Sequence, residues 1–265
     1  MNWLDTIVAH KKQELIDAKK AVPLEFYQAQ IGDNCSNHSL LRTIKQQGGF
    51  HFIGEVKRAS PSRGIINSDF DPLQQAKCYA KGGASAISIL TDSQFFMGNL
   101  ADLQVIREQI DLPLLRKDFI VDPYQIYESR YYQANIVLLI ARILSPKQIT
   151  QFCELATKLA LEVLLELATE NDLVKIPSNH SNLILAINNR DLANFEVDLN
   201  NSFRLKPLLP DDIPVISASG ISNTDECVRL FKNGFAGALI GESLMRDREP
   251  DSLLKKFRSA IANAG

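Results

Sequence analysis

Four cysteines in 265 residues is few, and their placement excludes more than their number. Cys35, Cys78, Cys153 and Cys227 are far apart and form no paired motif, as a disulfide framework or a Cys-paired metal site would need. They read as reduced core or helix residues of a cytoplasmic protein. Histidine is equally sparse: His10, His38, His51 and His180 do not cluster with cysteines or carboxylates at metal-ligand spacing, so no metal site is expected. Basic runs are missing too. The formal net charge is -2 and lysines and arginines are scattered, which argues against nucleic acid as a partner. No stretch approaches the length of a membrane span, and Met1 to Lys20 reads as a polar helix without the apolar region of a signal segment. Low-complexity segments and interdomain linkers are absent as well. What remains is an ordinary globular composition, 45% hydrophobic and 23% charged, in a chain long enough to bury a sizeable core.

The organisation is regular. Trp3, Leu4, Ile7, Val8, Leu15 and Ile16 recur at helical intervals and predict a helix over 2–20. A second short helix is predicted from Ser39 to Gln47, entered through the polar stretch 32–37 and stopped by Gly48-Gly49. Residues 1–48 thus form an extension, expected as a lid over the bottom or side of the fold, with an active-site role for its edge as the alternative. From Phe50 onward, β-rich apolar runs near 50–56, 86–90, 113–116, 136–140, 161–165, 183–187, 213–217 and 236–240 are each followed by a helical or partly helical segment, for example 71–81, 99–109, 123–133, 146–159, 222–233 and 249–262. Eight such repeats predict one α/β domain over 1–265, a (β/α)8 TIM barrel with an N-terminal helical extension. A doubly wound sheet is the rival. It usually carries a glycine-rich nucleotide turn after the first strand, and Ala59-Ser-Pro-Ser-Arg-Gly64 is neither that turn nor a P-loop.

In such a barrel the chemistry lies at the carboxyl ends of the strands. Alternation along the first strand places Ile53, Glu55 and Lys57 on one face, so a carboxylate and an ammonium enter or cap a largely apolar interior. They are either a buried ion pair closing the barrel or part of a polar active site. Lys117 and Glu166 stand at the ends of largely apolar runs on nearby strands and could face each other across the mouth, as acid–base chemistry would require. Asn188 and Arg190 share one face of the sixth strand and could fix a polar group or carboxylate. Phe95, Phe96 and Phe119 offer an apolar wall for an aromatic ligand. Ser219-Gly220 after the seventh strand and Gly241-Glu242 opening a short helix after the eighth occupy the usual phosphate position of barrels.

These motifs resemble the indole-3-glycerol phosphate synthase family. The resemblance is carried by Glu55-Val-Lys-Arg-Ala-Ser-Pro-Ser-Arg-Gly64, Leu90-Thr-Asp-Ser-Gln-Phe-Phe-Met-Gly98, Leu115-Arg-Lys-Asp-Phe-Ile-Val-Asp122, Ile187-Asn-Asn-Arg-Asp-Leu192, Ser219-Gly-Ile221 and Ile240-Gly-Glu-Ser-Leu-Met245, in the expected order. It implies ring closure, decarboxylation and dehydration of 1-(2-carboxyphenylamino)-1-deoxyribulose 5-phosphate, without metal or organic cofactor. It further implies that Lys117 is a general acid, Glu166 its acid–base partner, and Glu55 and Lys57 catalytic groups that orient substrate and stabilise charge. Lys57 would also sit near the phosphate, with Ser219, Gly220, Gly241 and the Glu242 backbone as its cradle. Ser60, Phe95, Phe119, Asn188 and Arg190 would contact the rest of the substrate. The only partner expected is this phosphorylated small molecule; a monomer is expected, with a dimer as the alternative.

The chain departs from the family at three places. Ala218 stands where the family usually has Glu, Ala168 where His or Asn is common, and Ala186 where Gly is usual. Two readings follow: a synthase working without the seventh-strand Glu, or a phosphate-ligand-binding barrel with altered or lost catalysis.

Overall fold

Strands apolar on both faces need cover on both, and the chain supplies it by closing the sheet on itself and packing helices outside. The structure, a computed structural model, describes residues 3–32, 38–60, 64–65, 70–178, 181–191 and 195–265; Cys35, His180 and positions 61–63 of the first motif lie outside the described residues. Its strands are β1 (His51–Val56), β2 (Ala59–Ser60), β3 (Gly64–Ile65), β4 (Ala86–Leu90), β5 (Leu114–Lys117), β6 (Ile136–Ile140), β7 (Glu162–Leu167), β8 (Leu183–Asn188), β9 (Val215–Ala218) and β10 (Gly237–Ile240). All but β2 and β3 form a closed parallel barrel in the order β1-β10-β9-β8-β7-β6-β5-β4. β2 and β3 make a small antiparallel ladder after the first barrel strand.

The helices are α1 (Trp3–Ala21), α2 (Leu24–Gln30), α3 (Leu40–Gln47), α4 (Pro72–Gly82), α5 (Ser93–Phe96), α6 (Asp102–Arg107), α7 (Pro123–Tyr131), α8 (Pro146–Lys158), α9 (Asn200–Leu205), α10 (Thr224–Lys232), α11 (Glu242–Arg246) and α12 (Pro250–Ala262). Several starts are written locally. Asp71, Asp122 and Ser145 cap α4, α7 and α8, each with Pro at the first helical position, where its missing N–H costs nothing. Among the described residues no helix is long and apolar enough to cross a membrane. The predicted repeats match the observed elements to within a few residues. Unpredicted are α2, α5, α9 and the β2–β3 ladder, all too short to show a period.

Strand alternation sorts the core into two layers. Ile53, Ala86, Leu115, Leu164, Ile184, Ile216 and Leu239 fill the barrel, while Phe52, Ile87, Val137, Leu165, Leu185 and Val215 pack against the helices. Gly54 belongs to the outer layer because Tyr79 lies across it; a Cβ there would come within 2.5 Å of the tyrosine ring.

The extension does two different things, one at each end of the barrel. α3 plugs the amino end: Glu162, at the start of β7, accepts hydrogen bonds from the backbone N–H groups of Leu40 and Leu41 and from the Ser39 hydroxyl. α1 instead crosses the carboxyl end, where Leu4 and Ile7 join the interior cluster with Phe119 and Ile140. Its anchor is Lys11, 2% exposed, whose Nζ lies 2.9 Å from Asp92 and 3.1 Å from Asp118. Asp118 also binds Arg116 at 3.0 Å, and Arg116 binds Glu128 of α7 at 2.8 Å. A line of buried charge therefore runs from the extension through the ends of β4 and β5 into the helical layer.

Burial alone would raise the Asp118 carboxyl, but Arg116, Lys11 and the Thr91 hydroxyl outweigh it and hold it well below the usual carboxylate range. The folded state thus takes up that proton less readily than the unfolded chain, so the contribution is present above the unfolded value of 3.8 and lost as pH falls toward the folded one. The urea midpoint is expected to fall steeply below about pH 4, and Asp118→Asn to remove part of that acid slope. An acid limb of unchanged steepness in Asp118→Asn would assign the loss to other carboxylates.

Candidate active site

The same alternation that fills the barrel ends its inward rows in polar groups. Above Ile53, Leu115, Leu164 and Ala186 come Glu55, Lys117, Glu166 and Asn188, on β1, β5, β7 and β8. Rigid paired strands, not loops, hold these four. Lys117 Nζ lies 3.8 Å from Glu166 Oε2 and 3.9 Å from Glu55 Oε2, so one ammonium sits between two buried carboxylates. Lys57 Nζ donates to Glu55 Oε1 at 2.7 Å. The Glu55–Lys57 pair is therefore both things the sequence left open: a buried ion pair and a wall of the cavity. Asn188 Nδ2 donates to Glu166 Oε1 at 2.9 Å, which fixes the carboxylate's orientation.

Electrostatics at Glu55 can be assigned. Burial opposes its ionisation, but Lys57, Lys117 and Arg190 together overcome that penalty and hold the carboxyl below its ordinary value. It is a fixed negative charge at neutral pH. Gly241 explains part of the fit: a Cβ there would stand 2.5 Å from Glu55 Oε1, so the close approach of the β10 turn to Glu55 needs a glycine.

Two cavities meet along this charged row. The larger, of about 660 Å³, is lined on its far side by Ala218, Ser219, Gly220, Gly241, Glu242 and Arg246. The smaller, of about 80 Å³, is lined by Leu90, Phe96, Phe119, Leu138 and Ile140, with Ser60 at its edge. Glu55, Lys57, Lys117, Glu166 and Arg190 border both. The result is an apolar slot, a row of alternating charge and a glycine-turn compartment, in that order.

Of the residues proposed from sequence, Glu55, Lys57, Ser60, Lys117, Phe119, Glu166, Arg190, Ser219, Gly220, Gly241 and Glu242 line these cavities, and Asn188 touches Glu166 from behind. Phe95 requires correction. Its ring packs edge-on to His10 of α1 at 5.5 Å, and its neighbour Phe96 lines the slot instead. α5 is a single helical turn, so adjacent residues point in different directions and motif position alone cannot choose between them.

Several site residues were not singled out. Phe195 lines both cavities with a left-handed backbone (φ 63°) and meets Trp3 of α1 at 5.9 Å. Asn189 is buried and pins the Ser219-Gly220 turn, its Nδ2 donating to the carbonyls of Ala218 and Ser219 at 3.0 and 2.9 Å. That turn has two successive left-handed residues (φ 68° and 77°) and needs such a brace. Glu242 has a side-chain role beside its backbone: it pairs with Arg190 at 3.2 Å and Arg246 at 3.4 Å. Asn189 sits inside a motif already noted, but nothing in its spacing tells a brace from a ligand.

A family model described as indole-3-glycerol phosphate synthase matches residues 4–257. Relatives bearing that name include one from Lacticaseibacillus paracasei, 40% identical over 96% of this chain and 98% of its own length. One from Bacteroides thetaiotaomicron is 40% identical over 97% and 98%, and one from Desulfosudis oleivorans 42% identical over 96% and 97%. Among solved structures, a 3-hexulose-6-phosphate synthase from Salmonella typhimurium superposes with a TM-score of 0.64 at 12% identity, covering 82% of this chain and 100% of that one. KGPDC from Streptococcus mutans gives 0.60 at 11%, covering 82% and 99%. At such identities these two share the barrel fold alone.

Replacing Lys57 by Met removes the largest charge favouring ionised Glu55. The carboxyl titration of Glu55, followed by carbon-13 NMR, is expected to move upward in Lys57→Met. An unmoved midpoint would show that Lys117 and Arg190 suffice.

Proposed function

The chain belongs to the indole-3-glycerol phosphate synthase family of decarboxylating lyases, and we propose that Lys117 and Glu166 run its ring closure and dehydration. The observation that carries this assignment is the position of Lys117: one ammonium within 4 Å of two carboxylates, at the boundary of the apolar slot and the glycine-turn compartment. A substrate with an aromatic ring at one end and a phosphate at the other has its reacting carbonyl at that boundary.

The carboxyphenyl ring of the substrate lies against Phe96 and Phe119, and the phosphate at Ser219, Gly220, Gly241 and the Glu242 backbone with Lys57 near. The ring carbon bearing the carboxylate attacks the ribulose carbonyl; a carbon–carbon bond forms, and the carbonyl oxygen takes a proton from Lys117 Nζ. Carbon dioxide then leaves, and its bonding pair restores the ring. Glu166, held by Asn188, serves the last step, in which the new hydroxyl departs as water and the ring system loses a proton. Glu55 stays negative and keeps both lysines in place. Arg190 and Ser60 contact the polar middle of the substrate, and Asn188 acts through Glu166. The described cysteines Cys78, Cys153 and Cys227 are free thiols, the last two pushed up to about 12 by burial and so unreactive; free thiols suit a cytoplasmic setting.

Ala218 favours a second reading, a barrel that binds phosphorylated ligands with altered or lost catalysis. It is buried at the inward end of β9 and borders the larger cavity, so no carboxylate enters the site from that strand. Turnover decides. Purified protein mixed with 1-(2-carboxyphenylamino)-1-deoxyribulose 5-phosphate is expected to generate indole fluorescence, with Lys117→Met and Glu166→Gln each lowering kcat by about 10²-fold or more. Binding without turnover would favour the second reading. Ala218→Glu is expected to raise kcat; an unchanged or lower value in a folded variant would mean that this site needs no third carboxylate.

A further inference from the structure

α1 reaches the carboxyl end of the barrel through one fully buried cation. Lys11 Nζ is 2.9 Å from Asp92 and 3.1 Å from Asp118, and 3.0 Å from the half-exposed Glu14 of its own helix. Each of the two buried carboxylates also holds a loop of the site. Asp92 caps α5 by accepting from the Phe95 backbone N–H at 2.7 Å, and α5 carries Phe96. Asp118 accepts from the Phe119 N–H at 2.8 Å, from the Thr91 hydroxyl at 2.7 Å and from Arg116 at 3.0 Å. Thr91 in turn donates its backbone N–H to the Lys117 carbonyl at 3.1 Å. Arg116 already serves Asp118 and Glu128; among the described residues, Lys11 is the cation paired with Asp92. A buried carboxylate stripped of its cation must move toward water or take up a proton, and either response shifts the loop it caps.

We propose that Lys11 is a positioning residue, whose ion pairs with Asp92 and Asp118 set the turns that carry Phe96 and Phe119 and that adjoin Lys117, the last residue of β5, at the barrel mouth. The extension is then part of the frame of the ring slot as well as its cover. This assignment rests on the reading of Lys117 as the general acid. Displacement of a reacting group by about 1 Å is enough to cost up to about 10²-fold in rate.

The test uses the full chain with two variants, Lys11→Met and Lys11→Met/Asp92→Asn, the second removing the carboxylate that the first leaves stranded. Lys11→Met is expected to lower kcat about tenfold with KM changed less than about threefold. Amide exchange should speed up about tenfold in 4–15 and 115–119 but stay unchanged in β7, β8 and β9. The double variant is expected to regain the lost melting temperature while kcat stays low. A wild-type kcat in folded Lys11→Met, or a kcat that returns in step with melting temperature in the double variant, overturns the proposal. Uniformly faster exchange across all strands also overturns it, since that marks a general stabiliser. Exchange needs no substrate: a wild-type protein without turnover defeats the synthase reading and leaves the exchange pattern to judge the latch.

Discussion

Charge taken out of water must be paired, and at the carboxyl end of this barrel that requirement governs both architecture and chemistry. Glu55 and Glu166 are buried, and a lysine stands beside each of them. Lys57 and Lys117 in turn meet those carboxylates at the cavity wall. Removing Glu55 takes the carboxylate from Lys57, and removing Lys117 takes the ammonium from Glu166. The arrangement is strained in composition and stable in geometry, because β1, β5 and β7 are locked in the barrel by their ladders. A proton can be held at one atom and given up without rebuilding the wall around it.

The same rule repeats one shell outward. Arg116 points from β5 into the helical layer, where Asp118 and Glu128 meet it, and Lys11 arrives from α1 to complete the balance. Adjacent residues of one strand thus serve two circuits: Lys117 faces inward to the cavity, Arg116 outward to the frame. The Arg-Lys pair at 116–117 looks like a local cluster of like charge. Period-two alternation separates it into two environments with different work.

Much of this was legible in the chain. Eight apolar runs at regular spacing can be covered on both faces only by helices, so barrel and order follow from pattern and length. Glu55, Lys117 and Glu166 were legible because a charge directly after an inward apolar row has one place to go. Phe95 and Phe96 were not separable, since one turn of helix carries no period and the partner that Phe95 meets, His10, lies on a distant segment. Phe195 and Asn189 were hidden for a related reason: one is defined by an unusual backbone angle and the other by carbonyls of a turn nearly thirty residues away.

Composition and periodicity by themselves determined the layers, the strand ends and the residue types that had to gather there, because burial and alternation are local properties of a sequence. Tertiary structure alone decided where the extension lies. α1 and α3 each bury an apolar face, over 19 and 8 residues, yet α3 finds Glu162 at the amino end of the barrel and α1 finds Asp92 and Asp118 at the other. A helix shows in its own residues which face it will bury. Which buried carboxylate awaits its lysine depends on segments some eighty and more residues further on, and only folding brings them together.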